Sequence, residues 1–504
     1  MTAGGDERAW QDVLVAIDVG TSGARAAAFD LEGRRHLEVR RSYPTRSPRP
    51  GWAEQDSAAW RSAALASLTD LVERIGPKRR VHAIGLTGQC PSAVLLDGRD
   101  RPVRPGLIYR DNRAVAEADR MRREFGDRWL HTRTGHRAAA FHILPKLLWV
   151  REHEPESWAR VRHVLQPRDW VGFVLTGVRA TDGSHAAATL AFDLGARRWD
   201  GSILDRLEVP SSLFPEVRRS DDVLATLLPA VASRVGLPAT TPVVVGGADS
   251  QACALGCGAT APGPVSEMAG SSTCLNETVP RPLDVLDVTH YPHVVGDGYT
   301  TETGINTTGA ALKWVADLLY GGRSGRAGPR DFERLDREAG ASQPGADGAL
   351  LLPALADGER TDPGLRAALT GLSIRHDRAT LARAALEGVA FEIREQLGLL
   401  AAGGAPANEL RISGGDVRLR AWNQIKADVI GLPVRIVDGD AAVTGVAMLA
   451  GIGAGVYRDA TDAIRCCVRL GEPIEPNPAT RAVYDDAAAA FAALERSAVV
   501  RRPA

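Results

Sequence analysis

Two short runs of glycine and hydroxyl residues are the features of the sequence best suited to chemistry. Gly20-Thr21-Ser22-Gly23 follows Asp18 at the end of an apolar run, and Gly270-Ser271-Ser272 lies far downstream in a similar setting. Such turns offer backbone N–H groups and hydroxyls to phosphate oxygens. Asp18 is placed to hold a divalent cation, through water. By itself the first turn is more typical of an ordinary β-turn, so its function depends on what accompanies it.

A second kind of feature is an acidic or glycine-rich segment after a short apolar strand. Gly246-Gly247-Ala248-Asp249 follows the apolar run Val243–Val245. Asp249 could be a plain helix cap, but the glycines before it would also let a substrate approach closely. Gly414-Gly415 follows Leu410–Ile412 and would let a flat ring lie against bare backbone.

Several common phosphate and metal motifs are excluded. The four lysines precede Arg79, Leu147, Trp314 and Ala427, so the Gly-Lys-Ser/Thr of a P-loop does not occur. His153-Glu154 is not followed by the rest of a zinc-binding H-E-x-x-H motif. The glycines of residues 451–455 follow a predicted helix rather than a strand, which indicates a helix end and not a dinucleotide loop.

The strands that position these residues form an arrangement that is predicted to occur twice along the chain. Each copy contains a hairpin and, later, a strand ending in small polar and glycine residues. The first copy uses Val13–Ile17, Ala26–Phe29 and Ala83–Gln89; the second uses Val265–Met268, Cys274–Val279 and Leu410–Asp416. This repetition predicts a duplicated domain, one copy on each side of about residue 250.

Helices are predicted between the strands. Asp377–Leu400 has apolar residues at near-helical spacing and a stop at Gly403-Gly404. Trp422–Ile430 is shorter, and Ala441–Leu449 consists of small residues that can pack close to another backbone. Alternating strands and helices predict an α/β architecture.

Composition sets the outer limits. The 504 residues carry a net charge of -1, with 44% hydrophobic and 24% charged residues, as in ordinary globular proteins. The charge balance predicts neither nucleic acid nor a membrane surface as a partner. Six cysteines do not form a disulfide framework, the first ten residues lack a signal-peptide pattern, and apolar runs are too short to span a bilayer. We therefore expect a cytoplasmic protein.

Taken together, the motifs resemble those of the FGGY family of carbohydrate kinases, in the actin-like ATPase superfamily, and most of all its xylulokinase-like members. The resemblance extends over residues 12–490. The motifs that carry it are Asp18-Val19-Gly20-Thr21-Ser22, Gly88-Gln89, Asp111-x-Arg113, Gly246-Gly247-Ala248-Asp249, Gly270-Ser271-Ser272, Gly358-Glu359-Arg360-Thr361, Arg383-Ala384-x-x-Glu387-Gly388, Ser413-Gly414-Gly415 and Gln424-x-x-Ala427-Asp428. Each motif is weak alone, but their order and spacing together match the family.

The resemblance implies two actin-like (ribonuclease H-like) α/β domains with an interdomain cleft. An N-terminal domain, residues 12–252, would bind sugar and phosphate, and a C-terminal domain, residues 253–490, would bind the nucleotide. ATP with Mg²⁺ would be the cofactor, a small sugar or polyol the substrate, and a homodimer an assembly to test.

The resemblance also assigns roles to residues. Asp249 would be the catalytic base that accepts the proton of the attacking sugar hydroxyl, and Asp18 would orient Mg²⁺. The sugar contacts would come from Gln89, Cys90, Asp111, Arg113 and Asp249. The nucleotide and its phosphates would contact Thr21, Ser22, Arg25, Ser271, Ser272, Gly309, Lys313, Gly414 and Gly415. For Asp111 and Arg113 the alternative is a surface ion pair.

The sequence departs from xylulokinases in its predicted sugar pocket. Cys90-Pro91-Ser92 stands where Met-His is usual after the glutamine, and Tyr109 stands where Trp is usual. These substitutions leave the motifs assigned to phosphate intact, but they change the predicted sugar pocket. The substrate could therefore differ from D-xylulose, and a polyol such as glycerol is the alternative.

Two competing hypotheses assign the same fold a different function. The first is a non-catalytic sugar-responsive homologue, and the second is a chaperone or filament ATPase of the same superfamily. The retained Asp18 and Asp249 argue against the first hypothesis. The lack of a separate peptide-binding domain argues against the second.

Overall fold

The computed structural model describes residues 10–321, 325–356, 359 and 364–499. Of the motif predicted at residues 358–361, only Glu359 therefore lies within the described residues. No helix within these ranges is both long enough and apolar enough to cross a bilayer.

The contacts divide the chain into two compact units. The first unit contains the residues up to Gly258, then Pro280–Thr301 and Asp440–Val468. The second contains Ala259–Val279, Glu302–Gly439 and the residues from Arg469 onward. The chain thus passes between the units more than once, whereas the domain boundary between residues 252 and 253 is a single cut and stays a prediction.

The strands are short and distributed over the whole chain. They are β1 (Asp12–Val19), β2 (Gly23–Phe29), β3 (Arg35–Ser42), β4 (Glu54–Gln55), β5 (Arg80–Gly88), β6 (Val94–Leu96), β7 (Gly106–Leu107), β8 (His163–Leu165), β9 (Ala180–Asp182), β10 (Phe192–Asp193), β11 (Arg198–Trp199), β12 (Glu216–Arg218), β13 (Val223–Thr226), β14 (Pro242–Ala248), β15 (Pro264–Ala269), β16 (Thr273–Val279), β17 (Thr289–Pro292), β18 (Tyr299–Ile305), β19 (Leu350–Leu352), β20 (Ala368–Thr370), β21 (Glu409–Ser413) and β22 (Val434–Ile436).

The helices alternate with these strands. They are α1 (Ser57–Ile75), α2 (Val115–Phe125), α3 (Asp127–Thr134), α4 (Ile143–His153), α5 (Pro155–Trp158), α6 (Pro167–Thr176), α7 (Gly183–Ala187), α8 (Gly201–Arg206), α9 (Pro229–Val235), α10 (Asp249–Gly256), α11 (Gly309–Tyr320), α12 (Pro329–Ala341), α13 (Arg378–Ala402), α14 (Arg420–Ile430), α15 (Ala441–Gly453), α16 (Ala460–Cys467) and α17 (Arg481–Ser497).

The same strand arrangement occurs in both units, which confirms the predicted duplication and the α/β class. In the first unit the order is β13-β14-β5-β1-β2-β3, with β1 antiparallel to β2 and parallel to β5. In the second unit β18, β16, β15, β21 and β22 lie side by side in that order, with β15 antiparallel to β16 and parallel to β21. The two predicted hairpins are therefore equivalent elements.

Strand β1 is buried on both faces, which explains why its sequence is a continuous apolar run. Val13, Val15 and Ile17 pack on the side of α1. Leu14 and Ala16 pack on the opposite side, in one core with residues of α10 and α15. A central strand covered by helices on both faces fixes the position of the turn that follows it.

Helix α15 crosses α10 with backbone contact, as its small residues predict. A Cβ atom on Gly445 would lie 1.9 Å from the Ala252 carbonyl oxygen, and one on Gly256 would lie 1.8 Å from that of Ala441. Only glycine fits both positions. This crossing holds residues 440–453 in the first unit.

The predicted helices near the C-terminus are confirmed in position. Helix α13 is capped by Asp377, whose side chain accepts from the Thr380 N–H, and ends at Gly403. Helix α14 ends at Gly431 in the left-handed conformation, with φ of 71°. The glycines after residue 450 belong to the end of α15, so the dinucleotide-loop interpretation was rightly excluded.

Candidate active site

Three adjacent parallel strands of the first unit end at the same level. Val19 of β1 is opposite Gly88 of β5, and Gly88 is opposite Ala248 of β14. The next residues along the chain are the glycine turn after β1, Gln89 and Asp249. Because neighbouring strands lie about 4.8 Å apart, the structure brings these predicted site residues to one edge of one sheet.

Asp18, the predicted cation ligand, lies on β1 with a side chain that is only 13% exposed. Its Oδ2 accepts a hydrogen bond from Arg25 Nε at 2.8 Å, and Arg25 Nη1 donates to Oδ2 of Asp440 at 2.5 Å. Burial alone would lower the pKa of Arg25, but the carboxylates of Asp18 and Asp440 outweigh it and raise this pKa. One guanidinium therefore joins two carboxylates.

The surroundings of Asp18 fit a hydrated Mg²⁺. Its second oxygen, Oδ1, is buried and has no hydrogen-bond partner among the described residues. A carboxylate oxygen is the kind of hard donor that Mg²⁺ takes, usually together with several waters. With Arg25 between Asp18 and Asp440, the group keeps an excess negative charge to attract a cation.

The first hairpin turn is held by side chains from outside the hairpin. The Thr21 carbonyl accepts from the Gln55 side-chain amide at 2.6 Å, and the Tyr43 hydroxyl donates to the Gly20 carbonyl at 2.5 Å. The Arg40 guanidinium donates to Ser22 Oγ. Two of these contacts use carbonyl oxygens of the turn, and the third uses the hydroxyl of Ser22, one of the predicted phosphate-contacting residues.

Gln89 is buried and hydrogen-bonds to Gln55 and Ser92, so its side chain does not form an exposed surface of a pocket. Its side chain is 1% exposed, and its Nε2 donates to Gln55 Oε1 at 2.9 Å. Ser92 Oγ donates to Gln89 Oε1 at 3.3 Å and accepts from the Tyr109 N–H at 3.1 Å. Cys90, next in the chain, is half-buried. Sugar contacts of Gln89 and Cys90 stay predictions, and the structure shows Gln89 positioning its neighbours.

Tyr109 lies at the hairpin turn. Thr21 Oγ1 donates to the Tyr109 hydroxyl at 3.4 Å. A tryptophan, which the family usually carries here, has no such acceptor. Through this hydrogen bond, Tyr109 of the predicted sugar pocket contacts Thr21 of the predicted phosphate-binding turn.

Asp111 and Arg113 form a buried network, so the surface ion pair considered for them is wrong. Both side chains are 0% exposed, and Arg113 Nε donates to Asp111 Oδ1 at 2.9 Å. Arg113 also donates to Glu54 Oε1 at 2.7 Å and lies over the rings of Trp52 and Trp149, at 3.7 and 4.8 Å from their centroids. With both side chains enclosed, a direct sugar contact from either one stays a prediction.

Asp249 is the first residue of α10, and the N-cap is Ala248, so the helix-cap explanation of Asp249 is wrong. Its Oδ1 accepts from the Ser250 N–H at 2.9 Å, and the residue is half-buried. A carboxylate in the first turn of a helix is stabilised by the helix dipole. Asp249 therefore lies at the edge of the sheet in a position that favours a negative charge.

The backbone before Asp249 is fixed from several directions. Ser184 Oγ accepts from the Ala248 N–H at 2.9 Å and donates to Asp182 Oδ2 at 2.5 Å. Thr87 Oγ1 donates to the Gly247 carbonyl at 2.7 Å. Gly246 has φ of 77°, and a Cβ atom there would lie 1.7 Å from the Leu86 carbonyl oxygen. Gly246 is thus required by the packing of β14 on β5.

Asp182 is the centre of the network behind Asp249. Arg168 Nη2 donates to Asp182 Oδ1 at 2.6 Å, and His185 Nδ1 lies 2.8 Å from the same oxygen. Burial would raise the pKa of Asp182, but hydrogen bonds and charges from His185 and Arg168 lower it well below its usual range. This fixed charge keeps Ser184, and through it the end of β14, in place.

In the second unit, the turn of the second hairpin is joined to the start of α11. The Gly309 N–H donates to the Gly270 carbonyl at 3.1 Å, and the Ser271 carbonyl accepts from the N–H groups of Thr308 and Ala310 at 3.1 Å each. A Cβ atom on Gly309 would lie 2.2 Å from the Gly270 oxygen. Gly309 is therefore needed for this close approach.

A cavity of about 200 Å³ lies beside this turn, within the second unit. It brings together Gly309 and Gly415, two of the predicted nucleotide-binding residues. Gly414, next to the cavity, has φ of 119°. The other lining residues are Glu267, Ala269, Gly270, Thr273, Thr308, Leu312, Phe332, Val389, Leu419 and Trp422.

Glu267, one of the residues that line this cavity, forms a buried ion pair with Lys426. Lys426 Nζ lies 2.9 Å from Glu267 Oε2, with side chains 0% and 2% exposed. The same Nζ lies 4.6 Å from the centroid of the Trp422 ring. Two aromatic rings, Phe332 and Trp422, line the cavity together with apolar residues and the carboxylate of Glu267. Mostly apolar and aromatic walls with few polar groups are typical of small-molecule sites.

Lys313 lies away from the cavity. Its side chain is 53% exposed, and Nζ pairs with Asp317 one turn along α11 at 2.7 Å. Its predicted contact with the nucleotide therefore has no support in the geometry of the second unit. The same is not true of Gly309, four residues earlier, which lines the cavity.

Several residues of these sites were not predicted. Asp440, Gln55, Asp182 and the pair Glu267–Lys426 act through partners far away in the chain. Their side chains make contacts across 415, 34, 14 and 159 residues, respectively. Asp440 could have been noticed, because it directly precedes the small-residue helix that was predicted.

Comparison with known proteins gives a consistent result. Residues 13–256 match the N-terminal domain of the FGGY family of carbohydrate kinases, and residues 266–454 match its C-terminal domain. The xylulose kinase of Bacillus subtilis is 29% identical over 92% of this chain and 92% of its own. The glycerol kinase of Gloeobacter violaceus is 31% identical over 88% of this chain and 89% of its own.

The fold also agrees with a solved structure. The crystal structure of xylulose kinase from Rhodospirillum rubrum superposes with a TM-score of 0.89 and 31% identity, covering 96% of this chain and 98% of that one. The predicted fold, two α/β domains of this family, is thereby confirmed.

Proposed function

The chain belongs to the FGGY family of carbohydrate kinases, which are ATP-dependent phosphotransferases, and on this premise we propose that it phosphorylates a hydroxyl group of a pentulose such as xylulose. The observation that carries this proposal is the common edge of β1, β5 and β14, where Asp18, Gln89 and Asp249 follow one another. The similarity to xylulose kinases over more than nine-tenths of both chains supports the choice of a pentulose.

Asp249 is the proposed general base. Phosphoryl transfer is loose, and the attacking hydroxyl loses its proton late, so a carboxylate of ordinary basicity is sufficient. The position of Asp249 in the first turn of α10 favours its negative charge, and the network of Asp182 and Ser184 holds the backbone before it. The base is thus presented on a rigid element, as accurate proton transfer requires.

Asp18 and Arg25 are the proposed partners of the transferring phosphoryl group. Asp18 would hold Mg²⁺ through water at Oδ1, and bound Mg²⁺ would neutralise charge on the β- and γ-phosphates. Arg25 would contribute a positive charge to the same phosphates, together with the N–H and hydroxyl groups of Thr21 and Ser22. In the second unit, Ser271 and Ser272 are the proposed counterparts, beside the cavity proposed for the base of ATP.

The proposed sugar wall contains Cys90, Ser92 and Tyr109, supported from behind by Gln89 and the buried network of Asp111 and Arg113. The Ser92 hydroxyl already donates to Gln89 Oε1, whereas the Tyr109 hydroxyl accepts from Thr21 and keeps its own proton for a substrate oxygen.

The proposal is tested by ADP release with ATP, Mg²⁺ and a panel of ketoses, polyols and sugar acids. We expect the highest kcat/KM for a pentulose. Glycerol as the best substrate would overturn the pentulose assignment and favour the reaction of the glycerol kinase relative. Sugar binding without ADP release from any acceptor would favour a non-catalytic homologue.

A further inference from the structure

Arg25 lies between two carboxylates that are far apart in the chain. Its Nε is 2.8 Å from Asp18 Oδ2 and its Nη1 is 2.5 Å from Asp440 Oδ2. The three side chains are partly buried, at 20%, 13% and 28% exposure for Arg25, Asp18 and Asp440. At such positions charged hydrogen bonds are screened less by water than on an open surface.

Two atoms of this group remain without a protein partner. Asp18 Oδ1 is buried and makes no hydrogen bond to any described residue. Arg25 uses Nε and Nη1, so within the described part of the chain its Nη2 is left over. A free carboxylate oxygen suits a cation and a free guanidinium nitrogen suits a phosphate oxygen.

Asp440 is the residue that makes this division possible. Without Asp440, Arg25 would keep Asp18 and the more distant Glu38, whose Oε2 lies 4.0 Å from Nη1. The guanidinium could then turn and use two nitrogens on both oxygens of Asp18, as bidentate pairs do. Such a pair would leave neither free atom. Asp440 draws Nη1 in another direction and therefore keeps Oδ1 of Asp18 open.

Asp440 is itself fixed by the fold. It is the N-cap of α15, and its Oδ1 accepts from the Val443 N–H at 3.4 Å. Helix α15 is locked against α10 at Gly445 and Gly256. One oxygen of Asp440 therefore caps a rigid helix, and the other holds Arg25.

We propose that Asp440 is a positioning residue for the reaction: it holds the Arg25 guanidinium so that Asp18 is open to the cation and Arg25 to the phosphate of a bound metal–nucleotide. This inference rests on the proposed function, since it assigns Asp440 to the same site.

The test is the binding of Mn²⁺–ADP, measured by electron paramagnetic resonance of free Mn²⁺ and by calorimetry, without sugar or turnover. The variants are Asp440→Asn, Arg25→Gln and the double variant. Asn caps a helix as well as Asp does, so Asp440→Asn should keep α15 and remove only the charge that holds Arg25. Asp440→Ser, which also caps, serves if Asp440→Asn folds poorly.

We expect Asp440→Asn to weaken Mn²⁺–ADP binding on the order of tenfold, the usual effect of losing one charged hydrogen bond. In the Arg25→Gln background the same substitution should have almost no further effect, because Asp440 acts through Arg25. The matched control is Asp377→Asn, the same change at the N-cap of α13, which should leave binding unchanged.

Each other result overturns a stated part of the account. Unchanged affinity of Asp440→Asn, or equal losses in both Arg25 backgrounds, would overturn the positioning role while the proposed function stands. Failure of the unaltered protein to bind Mn²⁺–ADP would overturn both. A loss shared by Asp377→Asn would show a general effect of cap substitution and would also overturn the positioning role.

Discussion

Asp18 has one oxygen bound to Arg25 and one buried oxygen with no partner in the described residues, which makes its substitution informative. We expect Asp18→Ala to lower kcat by roughly 10²-fold or more, because the cation serves the transferring phosphoryl group and not the ground-state sugar. Sugar affinity should stay nearly constant. Initial rates over a Mg²⁺ titration, with sugar binding measured by calorimetry, would check this. Full activity of the variant, or of the unaltered protein in excess chelator, would remove Asp18 from the site.

Buried histidines of the first unit predict a loss of stability in acid. Burial lowers the pKa of His142 and of His290 to about 3, and that of His136 well below its usual value. In the unfolded chain these groups protonate near pH 6.5. The contribution of these histidines to stability is therefore nearly constant above about pH 7.5 and falls as the pH decreases below it, by about 1 kcal/mol per histidine between pH 6.5 and 5.5.

The measurement is denaturant unfolding of the protein and of His142→Asn over this pH range. The variant should lose less stability from pH 6.5 to 5.5, even if it is less stable at pH 7.5. An identical pH dependence would show that His142 does not take part in acid unfolding.

Which site residues could be predicted depended on how local their signals were. Asp18 and Asp249 each stand beside a glycine turn at a strand end, so their neighbourhood in the sequence is informative. Asp440, Gln55 and Lys426 act through partners that only the folded chain brings near. Asp111 and Arg113 were found as a pair, but their spacing could not show that both are enclosed, with Arg113 over two tryptophan rings.

At the level of elements, the crossing of α10 and α15 makes a sharp prediction. Gly445→Ala would place a Cβ atom 1.9 Å from the Ala252 oxygen, and neither helix backbone can yield cheaply. We expect a loss of about 1–3 kcal/mol, as for other overpacked cores. Gly398→Ala is the matched control, since Gly398 lies in helix α13 with open space around it. It should stabilise the protein by about 0.5–1 kcal/mol. Thermal unfolding of both variants would check this, and equal behaviour would contradict the close crossing.

The two hairpins and their partner strands were predictable, because an apolar run, a glycine turn and a returning run lie within some twenty residues. The place of α15 was not. Its small residues indicated a close approach to another backbone. The partner, however, is α10, almost 200 residues earlier, and it is set by the complementary glycines of the two helices. By their contacts, residues 440–468 belong to the first unit, whereas the resemblance implies a C-terminal domain of residues 253–490.

For the whole molecule, bound ligands should add stability. A ligand at 100 times its Kd stabilises the folded state by about 2.7 kcal/mol. We expect Mg²⁺–ADP to raise the apparent Tm of the unaltered protein and a pentulose to raise it as well, because each ligand would bind the folded chain and not the unfolded one. Thermal scans with each ligand would check this. A shift from glycerol but not from any pentulose would contradict the proposed substrate.

The most direct test of the central claim is Asp249→Asn, with phosphorylation rate, Tm and Mg²⁺–ADP affinity measured side by side. Asn keeps the shape of the side chain and the first turn of α10 but cannot accept the proton. We predict a rate lower by about 10²–10⁴-fold, with Tm and nucleotide affinity nearly unchanged and a modest loss of sugar affinity. A normal rate at normal stability would contradict the assignment of Asp249 as the base, and with it the proposed mechanism of this kinase.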